Sequence, residues 1–264
     1  TDFDTYIWGI WPSPHDESLL YSDKKGRLFS LNVETGEKIL IDQTASSSDY
    51  AFGGFNWSAK GRYLSYYGYD KRDIPQVVLY DTKQKQKMVL TSGKFESYAP
   101  TISPDGKWLY FISDRNFKAS PRSPWGDRNM GPAFENRSLI YALQLDPEAR
   151  FPFTPDDELS LAKAASKKEE KKDEKKEEDT KKSKDKKGKK NAKSEEKPKV
   201  DAGEKDLNLS GIQDRLWQVP VPAGNYASLI ATAKHLYVLE RTEPKQTLKR
   251  IELTNEKPKL DTFT

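Results

Sequence analysis

The stretch Ser103-Pro104-Asp105-Gly106-Lys107-Trp108-Leu109-Tyr110-Phe111-Ile112 is a turn feeding a strand. Pro104 presets φ for a turn position, the Asp105 side chain bonds its own backbone, and Gly106 accepts a positive φ. From Trp108 onward the side chains alternate, with Leu109 and Phe111 on one side and Trp108, Tyr110 and Ile112 on the other. Large apolar groups on both sides predict a strand buried between two neighbouring sheets.

Outward from this stretch the same pattern recurs every 45 residues. Ser13, Ser58 and Ser103 fall in one column, Leu19, Leu64 and Leu109 in a second, and Tyr21, Tyr66 and Phe111 in a third. The turns His15-Asp16 and Lys60-Gly61 are weaker versions of Asp105-Gly106. Each unit continues through a polar turn into a second strand, as in Gly26 to Asn32, Gln76 to Asp81 and Ser138 to Leu145, and the first two close with Lys38 to Ile41 and Lys87 to Leu90. A fourth unit follows at Lys234 to Leu239, with Thr247 to Leu253 as partner, a turn at Asn255 to Lys257, and Leu260 to Phe263 as outer strand.

Four short strands per repeat of this length are the arithmetic of a β-propeller blade. The expected fold class is therefore all-β, a propeller fragment of about four four-stranded blades. An open meander or sandwich also has regularly spaced strands, but neither is obliged to repeat one turn and one aromatic column at a fixed interval. The serines of the first column are read as hydrogen-bonding turn residues.

Two insertions interrupt the third unit. Residues 116–136 carry Pro121, Pro124, Pro132, Gly126 and Gly131, which predicts a structured loop, with Trp125, Met130 and Phe134 as its apolar content. Residues 160–205 are almost pure Lys, Glu and Asp. There Lys167 stacks over Lys171 and Lys175, and Glu169 over Asp173 and Glu177, so like charges at i,i+4 oppose a helix by a few tenths of a kcal/mol per pair. With nothing apolar to bury, this tract is expected to be a disordered, extruded loop. The domain expectation is thus blades one to three in 1–159, the disordered insertion in 160–205, and the fourth blade of the same domain in 206–264.

The formal charge of +4 is also explained by this tract. Between Lys167 and Lys199 lie 16 Lys against 10 Asp/Glu, so the rest of the chain carries −2. Nucleic-acid binding would need basic residues on a folded face or interleaved with aromatics, and is not expected. The chain has no Cys, which excludes disulfides, thiolate metal sites and cysteine nucleophiles. His15 and His235 stand apart from each other and from any metal-ligand spacing, so they read as turn or strand-end residues. No metal, cofactor or membrane span is expected. The chain starts without Met or a basic-then-apolar leader and is expected to be part of something longer.

The turn-strand text SPDGKWLYFISDRN resembles repeats of the translocation protein TolB, of prolyl-oligopeptidase propellers and of tricorn-type proteases. The passage Leu207 to Leu216, running into Val219-Pro220-Val221-Pro222-Ala223-Gly224-Asn225-Tyr226, is more specific. It is similar to the DLDGI-x-x-R followed by P-V-P-x-G-x-Y of the tricorn-type proteases, with Ser210 in place of the usual Asp. The positions that match this passage are Gly211, Ile212, Asp214, Arg215, Pro220, Pro222, Gly224 and Tyr226. Their roles are expected to be structural: Arg215 forking onto a carboxylate or carbonyls, Gly224 allowing a tight bend, and the two prolines suiting an edge strand.

The resemblance implies a serine peptidase of the C-terminal-processing group that carries propellers, a PDZ-like domain and an α/β catalytic domain in one parent chain. Peptide or unfolded polypeptide is then the implied partner, a homo-oligomer is compatible with the reading, and the cytoplasm is the implied compartment, with the periplasm as the alternative. No catalytic residue of that group has a match here, and there is no G-x-S-x-G elbow and no Ser near a His in a strand-to-helix context. The expected function is a non-catalytic segment that guides or sieves peptides toward a catalytic domain elsewhere. A TolB-like interaction module and an oligopeptidase propeller are the competing readings.

Overall fold

In the computed structural model, residues 3–46, 48, 50–118, 134–155, 204–242, 244–254 and 258–263 are described. Their strands form four antiparallel sheets of four. The first contains β1 (Ile7–Pro12), β2 (Ser18–Asp23), β3 (Arg27–Asn32) and β4 (Lys38–Gln43), and the second β5 (Phe52–Trp57), β6 (Tyr63–Tyr69), β7 (Pro75–Asp81) and β8 (Gln86–Val89). The third contains β9 (Ser97–Ile102), β10 (Trp108–Asp114), β11 (Ser138–Gln144) and β12 (Leu216–Gln218), and the fourth β13 (Tyr226–Ala231), β14 (His235–Thr242), β15 (Lys245–Glu252) and β16 (Leu260–Thr262). Strand order within each sheet follows chain order, as in propeller blades. All sixteen strands lie in one unit made of residues 1–153 and 204–264. Residues 154–203 form a second unit, described only at residues 154 and 155, so the expected disorder of the charged tract lies outside the described residues. The same holds for loop residues 119–133, with Trp125 and Met130, and for the turn at 255–257.

The repeated turn behaves as its residues dictate. The N–H groups of Ser13, Ser58 and Ser103 each bond, at 2.8 Å, the carbonyl five residues on. The hydroxyls of Ser58 and Ser103 accept from the N–H groups of Tyr63 and Trp108 at 2.9 and 3.0 Å. All seven residues of β10 are buried. Trp108, Tyr110 and Ile112 pack against Leu229, Leu236 and Val238 of the fourth sheet, and Leu109 and Phe111 against Val77 and Leu79 of the second. At about 1.5–3 kcal/mol per buried large side chain, this strand is a principal seam of the core.

The first strand of each sheet, absent from the sequence-level enumeration, is the innermost of a blade, and β9 lies beside both β5 and β13. Its pairing slips by a bulge in every sheet, between Ile7 and Gly9, Gly53 and Asn56, Tyr98 and Thr101, and Tyr226 and Ser228. Two of these bulges use left-handed residues 45 positions apart, Gly54 at φ 66° and Ala99 at φ 50°. An equally spaced pair of side chains clamps neighbouring sheets. Asn56 Oδ1 accepts from Ile102 N–H at 2.8 Å, and Thr101 Oγ1 from Ala231 N–H at 3.1 Å.

Two sequence-level boundaries shift. The outer strand of the third sheet, β12, comes from beyond the charged tract, so the 206–264 segment completes the third blade before it forms the fourth. The tract's last two residues, Glu204 and Lys205, are tied to the second sheet and do not belong to a free loop. The turn at Ser58 has Lys60 where the turn at Ser103 has Asp105. Asp105 Oδ1 accepts from Ser103 Oγ at 2.6 Å and Lys107 N–H at 3.2 Å. Glu204 does the same for Ser58 Oγ at 2.6 Å and Arg62 N–H at 3.2 Å. A carboxylate from 142 residues away thus replaces the one missing from the turn. Arg62 and Tyr63 complete the dock, the former donating to Glu204 O at 2.8 Å and the latter to Lys205 O at 3.0 Å.

Candidate functional site

The eight motif positions fall into two groups. Gly211, at φ 64°, opens a single 3-10 turn, Ile212–Arg215. Ile212 is buried against the core between the second and third sheets, and the Asp214 N–H bonds Gly211 O at 3.0 Å. Arg215 forks onto carbonyls, donating to Asn208 O at 2.6 Å and Ser210 O at 3.2 Å. These residues brace the chain as it enters β12.

The second group follows β12 along β11. Val219 and Val221 point inward while Pro220 and Pro222 face out on the open edge, where a missing N–H costs no ladder bond. Gly224 does not turn the chain by a positive φ. It forms an isolated bridge with Ser138, and a Cβ there would lie 2.7 Å from both Glu240 Oε1 and the Tyr226 ring. Space, not bending, requires the glycine. Tyr226 is buried, and its hydroxyl donates to Pro222 O at 2.7 Å. Burial, followed by the nearby Glu240 carboxylate, pushes this phenol up to about 12.

Tyr226 and Gly224 lead to a cleft of about 590 Å³ that spans the second, third and fourth sheets. It is lined by Tyr67, Tyr69, Glu96, Tyr98, Arg137 and Arg241, among others, and by the two left-handed residues Gly54 and Ala99. A left-handed alanine is strained by about 1–2 kcal/mol, and bulges of this kind re-aim side chains beside binding surfaces. Gly53 leaves room for Tyr67, whose hydroxyl would sit 2.5 Å from any Cβ at that position.

A buried polar knot forms the floor. Tyr98 Oη lies 3.0 Å from Asp114 Oδ1, 3.1 Å from Ser138 Oγ and 3.1 Å from Tyr226 O. Ser138 Oγ donates to Asp114 Oδ1 at 2.7 Å, and Arg137 reaches Asp114 Oδ2 at 3.3 Å. Burial raises the Tyr98 phenol above its ordinary range, with Asp114 adding to the effect. Because Ser138 is buried and its proton is committed to a carboxylate, the arrangement ties the third and fourth sheets together and does not activate a nucleophile. Neither His15 nor His235 lines the cleft. Among the described residues, no group of three or more Asp, Glu and His side chains could hold a metal ion.

Sequence reasoning missed Tyr98, Asp114 and Ser138, because none belongs to a repeated column. The one legible signal was the Gly9, Gly54, Ala99 series, small residues at the repeat spacing on the innermost strands. At the mouth of the loop insertion, Asn116 N–H bonds Arg137 O at 3.0 Å and Phe134 packs edge-on against Phe117 at 5.8 Å.

Among known proteins, the chain matches the family described as the tricorn protease second beta propeller domain over residues 2–264. The solved tricorn protease superposes with a TM-score of 0.61 at 18% identity, covering 98% of this chain and 23% of that one. TolB from Acinetobacter baumannii gives 0.49 at 12% identity over 100% and 45% of the two chains. An acylaminoacyl peptidase in complex with Z-Gly-Gly-Phe-chloromethyl ketone gives 0.47 at 9% over 98% and 32%. At such identities the likeness to the tricorn protease speaks for the fold. No curated protein matches the chain. The chain spans 23% of the length of the tricorn protease it resembles.

Proposed function

The chain belongs to the family of the tricorn protease second beta propeller domain, and from that premise we infer that it is the non-catalytic propeller part of a tricorn-like serine peptidase, guiding extended peptide toward a catalytic domain elsewhere in the parent chain. The observation that carries this reading is the cleft at the innermost strands, where ends of three sheets meet with tyrosines and charges of both signs but no imidazole. Tyr67 and Tyr69 offer ring faces and hydroxyls to any peptide, while Glu96, Arg137 and Arg241 offer opposite charges. Such a surface supports weak, sequence-tolerant contacts, which a guiding element needs if its cargo is to move on. A propeller's central channel also admits an extended chain more readily than a folded one.

Titration of a fluorescent, unstructured peptide into the chain tests the reading. Binding is expected, with a several-fold loss in a Tyr67→Ala/Tyr69→Ala variant; unchanged affinity would remove the cleft from the account. The chain alone is expected to hydrolyse no peptide, and turnover abolished by Ser138→Ala would overturn the non-catalytic assignment.

A further inference from the structure

The outward face of the first sheet is built like an interface that the chain already contains. Where the first and second sheets meet, Tyr66 of β6 donates its hydroxyl to Asp42 Oδ2 on β4 at 2.9 Å, and Lys87 of β8 pairs with Asp42 Oδ1. Asp42 is buried, so tyrosine, lysine and aspartate make a closed charge-assisted cluster across the seam. The tyrosine and lysine are fixed by register: Tyr66 pairs with Val78, and Tyr80 with Lys87. Val78 and Tyr80 belong to the same apolar cluster as Tyr66.

The first sheet repeats these positions. Tyr21 pairs with Phe29, and Leu31 with Lys38. Tyr21, Phe29 and Leu31 form an apolar cluster of their own, separate from the one facing the second sheet. Lys38 Nζ stands 5.4 Å from the Tyr21 ring centroid and 4.2 Å from that of Phe29. The tyrosine and the lysine are therefore both in place, and among the described residues no carboxylate is bonded to either. Tyr21 is 2% exposed, and among the described residues its hydroxyl is the one buried side-chain polar atom without a hydrogen-bond partner. Burying a hydroxyl unbonded is costly enough that such groups are rare in native folds.

The third sheet shows that the pattern tracks its neighbour. There the two positions are Phe111, paired with Tyr141, and Leu216, paired with Leu143. In the second sheet the position that corresponds to Asp42, at the spacing that aligns Lys38 with Lys87, is Thr91, whose hydroxyl is used within its own sheet by Val77 N–H at 2.9 Å. Tyr and Lys accompany an Asp across the seam, and Phe and Leu accompany none.

We propose that the outward face of the first sheet is a docking surface for a further propeller blade, whose outermost strand seats an Asp or Glu between Tyr21 Oη and Lys38 Nζ. The argument for this occupant is continuity with the interface between the first and second sheets, whose residue types recur on the open face in the same register. Phe3, 44% exposed and edge-on to Tyr21 at 5.2 Å, lies beside the ring that this blade would cover.

The test compares two phenylalanine variants in the 264-residue chain and in the longer polypeptide that carries the extra blade. In the 264-residue chain, Tyr66→Phe takes the donor from the buried Asp42 Oδ2 and lowers the thermal midpoint by several degrees, whereas Tyr21→Phe removes an unbonded hydroxyl and leaves the midpoint unchanged or raised. A drop for Tyr21→Phe matching that for Tyr66→Phe would mean the chain itself supplies a partner, and would overturn the proposal. In the longer polypeptide, Tyr21→Phe is expected to become destabilising. There, a zero-length carbodiimide cross-link should join Lys38 to an acidic residue outside residues 1–264 of the same molecule. Coupling to a second copy, or none, overturns the assignment of the occupant.

Discussion

Removing the Glu204 side chain tests whether a turn can be completed from 142 residues away. In Glu204→Ala the hydroxyl of Ser58 and the N–H of Arg62 lose their carboxylate, as does the Lys60 N–H at the longer distance of 3.3 Å. Hydrogen bonds to a charged acceptor contribute about 1.5–3 kcal/mol when buried. Ser58 is only 2% exposed but the Lys60 N–H is exposed, which places the loss at about 2 kcal/mol. For a folded unit of this size each kcal/mol moves the thermal midpoint by about 2–4 °C, so a drop of about 4–8 °C is expected by tryptophan fluorescence. The rescue is specific. Lys60 occupies the place of Asp105, so Lys60→Asp in the Glu204→Ala background should recover half the loss or more. By contrast, Lys60→Asp alone sets two carboxylates in one turn and should destabilise. A Glu204→Ala midpoint within about 1 °C of the parent, or a rescue that fails while Asp105→Ala costs stability, would refute the reasoning.

Gly224→Ala is expected to cost about 1–3 kcal/mol in urea unfolding, because its Cβ would meet Glu240 and Tyr226 at 2.7 Å and both are held in place. Burial alone would raise the Asp81 carboxyl, but the Arg62 guanidinium and the N–H groups of Gln84 and Lys83 hold it below its ordinary 3.8. Its contribution is therefore present above that value and lost as pH falls through the lower, folded one. Asp81→Asn should accordingly flatten the stability profile below about pH 4. At the alkaline end, burial raises Tyr66, Tyr98 and Tyr110, so stability is intact below about pH 10 and falls as pH rises further. A phenolate absorbance titration should show these groups ionising together with loss of the circular dichroism signal, and early, unfolding-independent ionisation would contradict it.

The repeated turn and strand were legible because their physics is local. Ser58 and Ser103 bond atoms five residues away, and the alternation from Trp108 to Ile112 needs only the pleat. The fork of Arg215 also acts within seven residues. The cleft was not legible. Tyr98, Asp114, Ser138 and Tyr226 come from four strands in two sheets, and their meeting depends on bulges that pairing, not propensity, creates. The amino-acid sequence by itself determined that the chain makes four blades and where their turns fall. Only the tertiary structure decided that the third blade takes its outer strand from beyond the charged tract, and that Glu204 serves a turn in the second. It also decided that Gly224 is needed for space. The first two depend on contacts between residues far apart in the chain, and the third on how the Tyr226 ring and Glu240 pack around one backbone position; none of these leaves a periodicity to read.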